Sequence, residues 1–338
     1  MGIKASPTCV MHYEDAKGWL VGDLNKGMKA MFIMMNGARL FVGIQGIGLS
    51  ETAFQSSLHY AKERVQGKLP ESENIADPII VHPEIRKNLM FMKSMNDGIR
   101  GLMVKAGHAF DLIDADHSKE LTESSENLIA LLKPILKSFA TDKSMEITNQ
   151  ALQIYGGHGY ITDHGMEQLV RDARITPIYE GTNGIQALDL IGRKFNIHDG
   201  LIINQYLDDI NRYIDKHKDN SKMEKYIKLF EPSYNDLRDC IDFIKRTETT
   251  NSQEINSHAV DFLNIFALVA VGFTWLEFIG ISLNKIEKKD DDFYFSKIQL
   301  GDFYLTKVIF ETQKFKNNIY SSGKLYNEFE DKFFEAGI

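Results

Sequence analysis

The chain has 338 residues, 43% of them hydrophobic and 25% charged, with a formal net charge of −8. Those proportions fit a packed globular protein and exclude an intrinsically disordered one. The acidic balance argues against nucleic acid as the main partner, because phosphate neutralisation needs clustered Lys and Arg. A local basic pocket for a phosphorylated ligand stays open. The two cysteines, Cys9 and Cys240, are far apart and fit no metal spacing, so the reducing cytoplasm is the expected compartment. No stretch reads as long and apolar enough to span a bilayer, and no membrane partner is expected. The opening MGIKAS fits a myristoylation pattern, but so short a match arises by chance.

In chain order, residues 1–24 stand apart. CVMHY and WLV are strand-like and flank the turn-like EDAKG. Two short strands make no stable sheet alone, so the segment reads as a remnant of a β domain. From Lys26 the spacing turns helical, with Met28, Met31, Phe32 and Met35 on one face and Ile47, Phe54, Leu58 and Ala61 further on. Gly43, Gly46 and Gly48 interrupt this run and point to close helix packing or a distortion. After a proline-bearing loop, helices are expected over 84–113, 120–139 and 142–155. Pro134 is expected to break or kink the second, and Gly156 and Gly157 to stop the third. Residues 183–195 read as helical. KHKDNSKMEK reads as a linker, followed by helices over 222–247, 255–284 and 293–328, with EKKDDDFY as a charged turn before the last. The resulting division is 1–24, 25–200 and 201–338, mainly α throughout.

Four features carry candidate chemistry. QIYGGHGY, residues 153–160, offers a backbone nest for an anion, although a glycine cap with a turn is the simpler reading of that segment alone. It is not a GxGxxG fingerprint. His158, Asp163 and His164 fit no metal spacing and read as turn residues, so no metal site is expected. Arg64 either forks a phosphate or complements the dipole of the helix it ends. Glu180, in PIYEGTNG, is a loop acid beside the aromatic Tyr179. A carboxylate against such a wall is partly desolvated, which raises its pKa and suits a base acting on a weak carbon acid.

The two blocks MMNGARLFVGIQGIGLSETAFQSSLHYAKERVQG and QIYGGHGYITDHGMEQLVRDARITPIYEGTNGIQ, at their spacing, resemble the flavin-dependent acyl-CoA dehydrogenases. Residues 3–24 resemble the end of that family's middle β domain, and the resemblance covers residues 3–195. YEGTNGIQALDLIGRK, with ADPIIVHPEIR and the helical extension, resembles the 3-methylmercaptopropionyl-CoA dehydrogenase branch and related broad-range members. The implied fold is the family's C-terminal helical bundle plus an extra helical module.

The resemblance also implies a reaction. Glu180 removes the pro-R α-proton of an acyl-CoA thioester, a hydride leaves the β-carbon for FAD, and a 2,3-enoyl-CoA forms. The Glu180 backbone N–H polarises the thioester carbonyl. Tyr179, Gly181 and Arg39 line the substrate site. Ala38 occupies the position where some members place the base, and Asn36 stands where many carry a CoA-contacting aspartate. Arg64 is assigned to the FAD pyrophosphate. Gln153, Gly156 and Gly157 are assigned to the ADP part of a neighbouring subunit's flavin, and Thr182 and Gly184 to the flavin of their own. The RVQG loop is one residue shorter than the common form. These roles imply a homo-oligomer, a dimer or tetramer, with an electron-transferring flavoprotein as acceptor. Family members carry a helical domain and most of a β domain ahead of the point where this sequence starts, so it is expected to hold the base and only half of the cofactor contacts. The rival expectation is a non-catalytic helical binding or assembly piece.

Overall fold

The computed structural model describes residues 1–2, 4–115, 118–248, 252–286 and 291–337. Three long helices form the site-bearing half: α1 (Gly27–Glu63), α2 (Pro83–Asp114) and α3 (Lys119–Tyr155). Short α4 (Gly157–Tyr160), α5 (Met166–Ile175) and α6 (Asn183–Leu188) follow, and α6 continues as a π-helical turn over Asp189–Lys194. Beyond it come α7 (Leu201–His217), α8 (Glu224–Glu248), α9 (Ser252–Ser257) and α10 (Ala259–Lys285). The chain ends with α11 (Asp292–Phe303), the π-helical turn Tyr304–Val308, α12 (Glu311–Tyr320) and α13 (Lys324–Asn327). Helix α7 was not anticipated, and the single helix expected over 293–328 is several pieces. Residues 287–290 of the expected charged turn lie outside the described residues.

Helix α1 runs unbroken through its glycines because they are where it meets α3. A Cβ on Gly43 would sit 3.2 Å from the Leu136 carbonyl oxygen, and one on Gly46 would sit 3.0 Å from that of Ala140. Gly48 faces open space and has no such role. Helix α3 also corrects an expectation. The helices expected over 120–139 and 142–155 are one, and it is not broken at Pro134. Proline in a helix interior costs about 3 kcal/mol. Burial of Leu131, Leu132, Ile135, Leu136 and Phe139 around it is the larger contribution, at about 1.5–3 kcal/mol for each large side chain. Gly156 ends the helix with φ 59°, as its sequence suggested.

The core is continuous across residue 200. Helix α10 packs on α2, α3 and α6 as well as on α8, α11 and α12. Aromatic residues fill the second half: Phe230, Phe262, Phe266, Trp275 and Tyr304 are fully buried. Contrary to the sequence reading, two helices, α1 and α10, have the length and apolar composition to cross a membrane. In α10 that apolar stretch is 83% buried and forms the centre of the bundle. In α1 it is 22% buried, and Met28, Phe32, Ile33, Met34 and Phe41 are exposed. CVMHY and WLV form no ladder, and their side chains are exposed. A strand needs a partner's backbone, and none lies beside them among the described residues.

The glycine contacts separate two substitutions in one helix. Gly46→Val should destabilise the protein by about 1–3 kcal/mol through overpacking. Gly48→Ala should stabilise it by up to about 1 kcal/mol through helix propensity. Thermal denaturation of the two variants beside the parent measures both.

Candidate active site

The loop 177–183 leaves α5, turns, and enters α6 in the angle between α1 and α3. The turn needs left-handed backbone at two successive positions. Glu180 has φ 57° and Gly181 φ 84°. Glycine takes that conformation without strain, whereas glutamate holds it only when its surroundings enforce it. They do so from both sides. The Arg39 Nε–H, from α1, donates to the Glu180 carbonyl at 3.3 Å. The buried Gln186 amide donates to the carbonyls of Glu180 and Gly181, each at 3.4 Å. A Cβ on Gly181 would lie 2.8 Å from that Gln186 nitrogen, so the position also lacks room. The Tyr179 hydroxyl donates to Gln45 on α1.

Two features of Glu180 bear on chemistry. Its carboxylate Oε2 is buried and has no hydrogen-bond partner among the described residues. Such an atom is an acceptor held ready and unsatisfied. Among the described residues, no group accepts a hydrogen bond from the Glu180 amide N–H either. One residue thus offers a free base and a free donor. Thr182 caps α6, its Oγ1 accepting from the Ile185 N–H at 3.4 Å, and Gly184 follows in the first turn.

Sequence reasoning named Arg39 but missed the other cations that gather with it beside this loop. Arg39, Lys133, Arg193 and Lys194 surround a cleft of about 370 Å³, with Asp189 as the acidic member and Phe32 and Ile185 as apolar walls. Lys133 and Lys194 are buried. Burial first, and then the charges of Lys194 and Arg39, hold the Lys133 amine down at about 8. Burial and the neighbouring Arg193 lower Lys194 in the same way. The Lys133 Nζ donates to Oδ1 of the exposed Asn36 at 2.8 Å, so this asparagine is engaged with a lysine of the cleft. The π-helical turn brings Asp189, Arg193 and Lys194 to the cleft, and Arg193 pairs with Asp189 at 2.6 Å. The available signal was LLKPILKS, where two lysines four apart interrupt an apolar run on one helix face.

The remaining candidates gather elsewhere. Arg64 caps α1, is exposed, and donates from Nη2 to Gln66 Oε1 at 3.4 Å. Gln153, Gly156 and Gly157 are exposed at the end of α3, and the two glycines face open space. Tyr60 stacks on Tyr155 with ring centres 4.0 Å apart and bonds His158 Nδ1 at 2.9 Å, which joins these segments. His158 and His164 stack on each other, 4.9 Å between ring centres. Arg39 and Arg64 are roughly 37 Å apart along α1 at the rise of an α-helix. The Glu180 group sits against the middle of the α1–α3 pair, at Arg39, Gln45 and Asp142, and the Arg64 group lies at one end of it, too far away within one chain to grip the same reacting group.

Residues 25–195 match the family described as "Acyl-CoA dehydrogenase, C-terminal domain", and residues 206–328 match "Acetyl-CoA dehydrogenase C-terminal like". The 3-methylmercaptopropionyl-CoA dehydrogenase of Ruegeria pomeroyi is 33% identical over 331 residues, which cover 96% of this chain and 55% of that protein. A butyryl-CoA dehydrogenase of Syntrophomonas wolfei is 28% identical over 325 residues, covering 91% of this chain and 53% of that protein. The chain spans about half the length of these curated relatives. In fold it is similar to Caenorhabditis elegans ACDH-11, solved in complex with C11-CoA, with a TM-score of 0.72 at 18% identity over 94% of this chain and 50% of that one. It is also similar to an acyl-CoA dehydrogenase from Bacillus anthracis solved with FAD, with a TM-score of 0.68 at 17% identity over 88% of this chain and 50% of that one. The Glu180 loop, Arg39 and the Arg64 group all fall inside the first match, and the extension falls inside the second. The chain belongs to the acyl-CoA dehydrogenase family.

Proposed function

We propose that this chain carries the catalytic base and the carrier-binding cleft of an FAD-dependent acyl-CoA dehydrogenase. The observation that supports it is the Glu180 carboxylate, half-buried, with an unpartnered oxygen and a free amide N–H on the same strained residue. Removing a proton α to a thioester needs a base within reach and a donor at the carbonyl oxygen where negative charge develops. Glu180 supplies the first with its side chain and the second with its backbone. Arg39 and Gln186 hold its carbonyl, so the N–H stays aimed without reorganisation. Tyr179 forms part of the acyl wall.

The basic cleft suits the phosphates of the CoA carrier. Its four cations face one carboxylate, and it adjoins the Glu180 loop through Arg39. Bound FAD would supply the acceptor for the hydride that leaves the β-carbon. Thr182 and Gly184 are the residues of this chain that would approach it. Gly184, where an added Cβ would meet nothing closer than 3.9 Å, leaves room there for a ligand. Arg64, Gln153, Gly156 and Gly157 are open and exposed, which fits contact with the ADP part of a flavin seated in a neighbouring chain. We accordingly propose a homo-oligomer, with an electron-transferring flavoprotein as acceptor and the cytoplasm as compartment. The exposed apolar half of α1 is the surface that the rest of a catalytic frame would cover, since the relatives carry about as much chain again. Among acyl groups, 3-methylmercaptopropionyl is the first to test, on the strength of the Ruegeria pomeroyi relative.

With FAD, an acyl-CoA and an artificial electron acceptor, the protein should reduce the acceptor. Glu180→Gln should slow it by about a hundred- to ten-thousandfold, the range for a lost general base. Equal rates would remove the base assignment. Absence of flavin absorbance after FAD addition would favour the non-catalytic helical piece.

The cleft gives a second prediction. Lys133→Met should weaken binding of CoA, measured by calorimetry, by about tenfold, as expected for one charge-assisted contact. It should also raise the thermal midpoint at pH 7. The folded-state pKa of this lysine is about 8, below its ordinary 10.5, so the unfolded chain binds the extra proton between those values. Parental stability therefore rises with pH across that window. The advantage of the methionine variant should shrink over the same interval.

A further inference from the structure

Lys137 is fully buried in α3, beside the apolar Ile135, Leu136 and Phe139. A charge in such a place is costly unless it is matched. Its Nζ donates to Asn183 Oδ1 at 2.8 Å. Asn183 is in turn committed on every side. Its amide nitrogen donates to the Ser138 carbonyl at 3.1 Å, to Thr141 Oγ1 at 3.0 Å and to Asp142 Oδ1 at 2.7 Å. Its backbone N–H donates to the Pro177 carbonyl at 3.1 Å, closing the loop on itself. Glu180 and Gly181, the two residues with positive φ, lie between those ends. Asn183 is thus the pin that fixes the strained turn to α3, and Lys137 is the charged group that holds the pin.

We propose that Lys137 is a positioning residue for Glu180. Through Asn183 it keeps the 177–183 loop in its left-handed turn, and its ammonium provides positive charge within electrostatic reach of the Glu180 carboxylate. The functional half of this proposal rests on reading Glu180 as the base; the structural half does not. An apolar side chain of similar length would fill the same volume without the cost of desolvating a charge. A lysine kept there for stability alone is therefore the weaker explanation.

The proposal also predicts behaviour with pH. Burial brings the Lys137 amine down to about 8. The groups that face it are Asp142 on its own helix and Glu180 on the loop, which favour the charged form, and Arg39 on α1, which opposes it. Above about pH 8 the bond to Asn183 loses its charge and the turn loosens.

Hydrogen exchange of the amides of residues 178–186 in the full chain, followed by mass spectrometry and corrected for intrinsic rates, tests this without any ligand. At pH 7, Lys137→Met should exchange there about tenfold faster than the parent, the loss of one charge-assisted bond. Amides of α10 should be unchanged and the thermal midpoint should be equal or higher. The parent's loop should loosen between about pH 7 and pH 9.5, whereas Lys137→Arg, which stays charged, should not. The parent's own titration needs no variant to fold. Unchanged loop exchange in the methionine variant, a flat parental titration, or loosening throughout the chain with a lower midpoint would each overturn the proposal. Loop exchange reports on Lys137 whether or not the chain turns over acyl-CoA, so failure here is distinct from failure of the Glu180→Gln experiment. In turnover, the same variant should lower kcat with KM little changed.

Discussion

The site depends on how one loop is seated between two helices. Residues 177–183 are held by α1 through Arg39 and by α3 through Asn183. Both grips require α1 and α3 to lie close, and Gly43 and Gly46 make that approach possible. A methyl group at either position would push the helices apart at the level from which they reach the loop. The chain of cause therefore runs from two glycines to a helix spacing, then to a pinned turn and an oriented carboxylate. Holding a glutamate at φ 57° costs on the order of 1–3 kcal/mol. Strain of that kind persists where surrounding contacts over-determine it, and here they come from Arg39, Gln186 and Asn183.

Electrostatics follows the same geometry. The chain is acidic overall, yet Arg39, Lys133, Lys137, Arg193 and Lys194 gather around one loop. Net charge describes the average surface, and a site is a local departure from it. Three of these cations are lysines buried in the fold, two of them held near 8 by burial. Such groups weaken the fold at neutral pH, which points to selection for the site they face. The π-helical turn after α6 belongs to the same design. It inserts an extra residue into the winding and thereby turns Arg193 and Lys194 toward the cleft.

Parts of this were legible in the sequence and parts were not. Glu180 stood out because its turn chemistry, an acid between an aromatic residue and a glycine, is local and written in consecutive residues. The glycine packing of α1 was legible for the same reason. The continuity of α3 through Pro134 was not, because a local rule about proline is overridden by burial of its neighbours against α1 and α2. Lys133, Lys137 and Lys194 were missed because a charge in an apolar run gives no sign of whether the fold will expose or enclose it. The stretch that forms α10 was read as a helix but not as one apolar enough to span a bilayer, and only the helices packed around it show why it is apolar on every face. The expected strands near the N-terminus had the right composition for strands, but composition cannot supply the neighbouring backbone that a ladder requires.

The two candidate groups on α1 and α3 give the chain a divided character, with a base loop against the middle of the pair and open glycines at one end. The central claim concerns the base loop: a preorganised carboxylate that takes a proton from the α-carbon of an acyl thioester. Its most direct measurement is the exchange of that proton with deuterium oxide, followed by nuclear magnetic resonance of a saturated acyl-CoA incubated with the protein and FAD. The account predicts exchange catalysed by the parent and lost in Glu180→Gln. Exchange that persists undiminished in the variant, or that never exceeds the rate of free acyl-CoA in the parent, would contradict it.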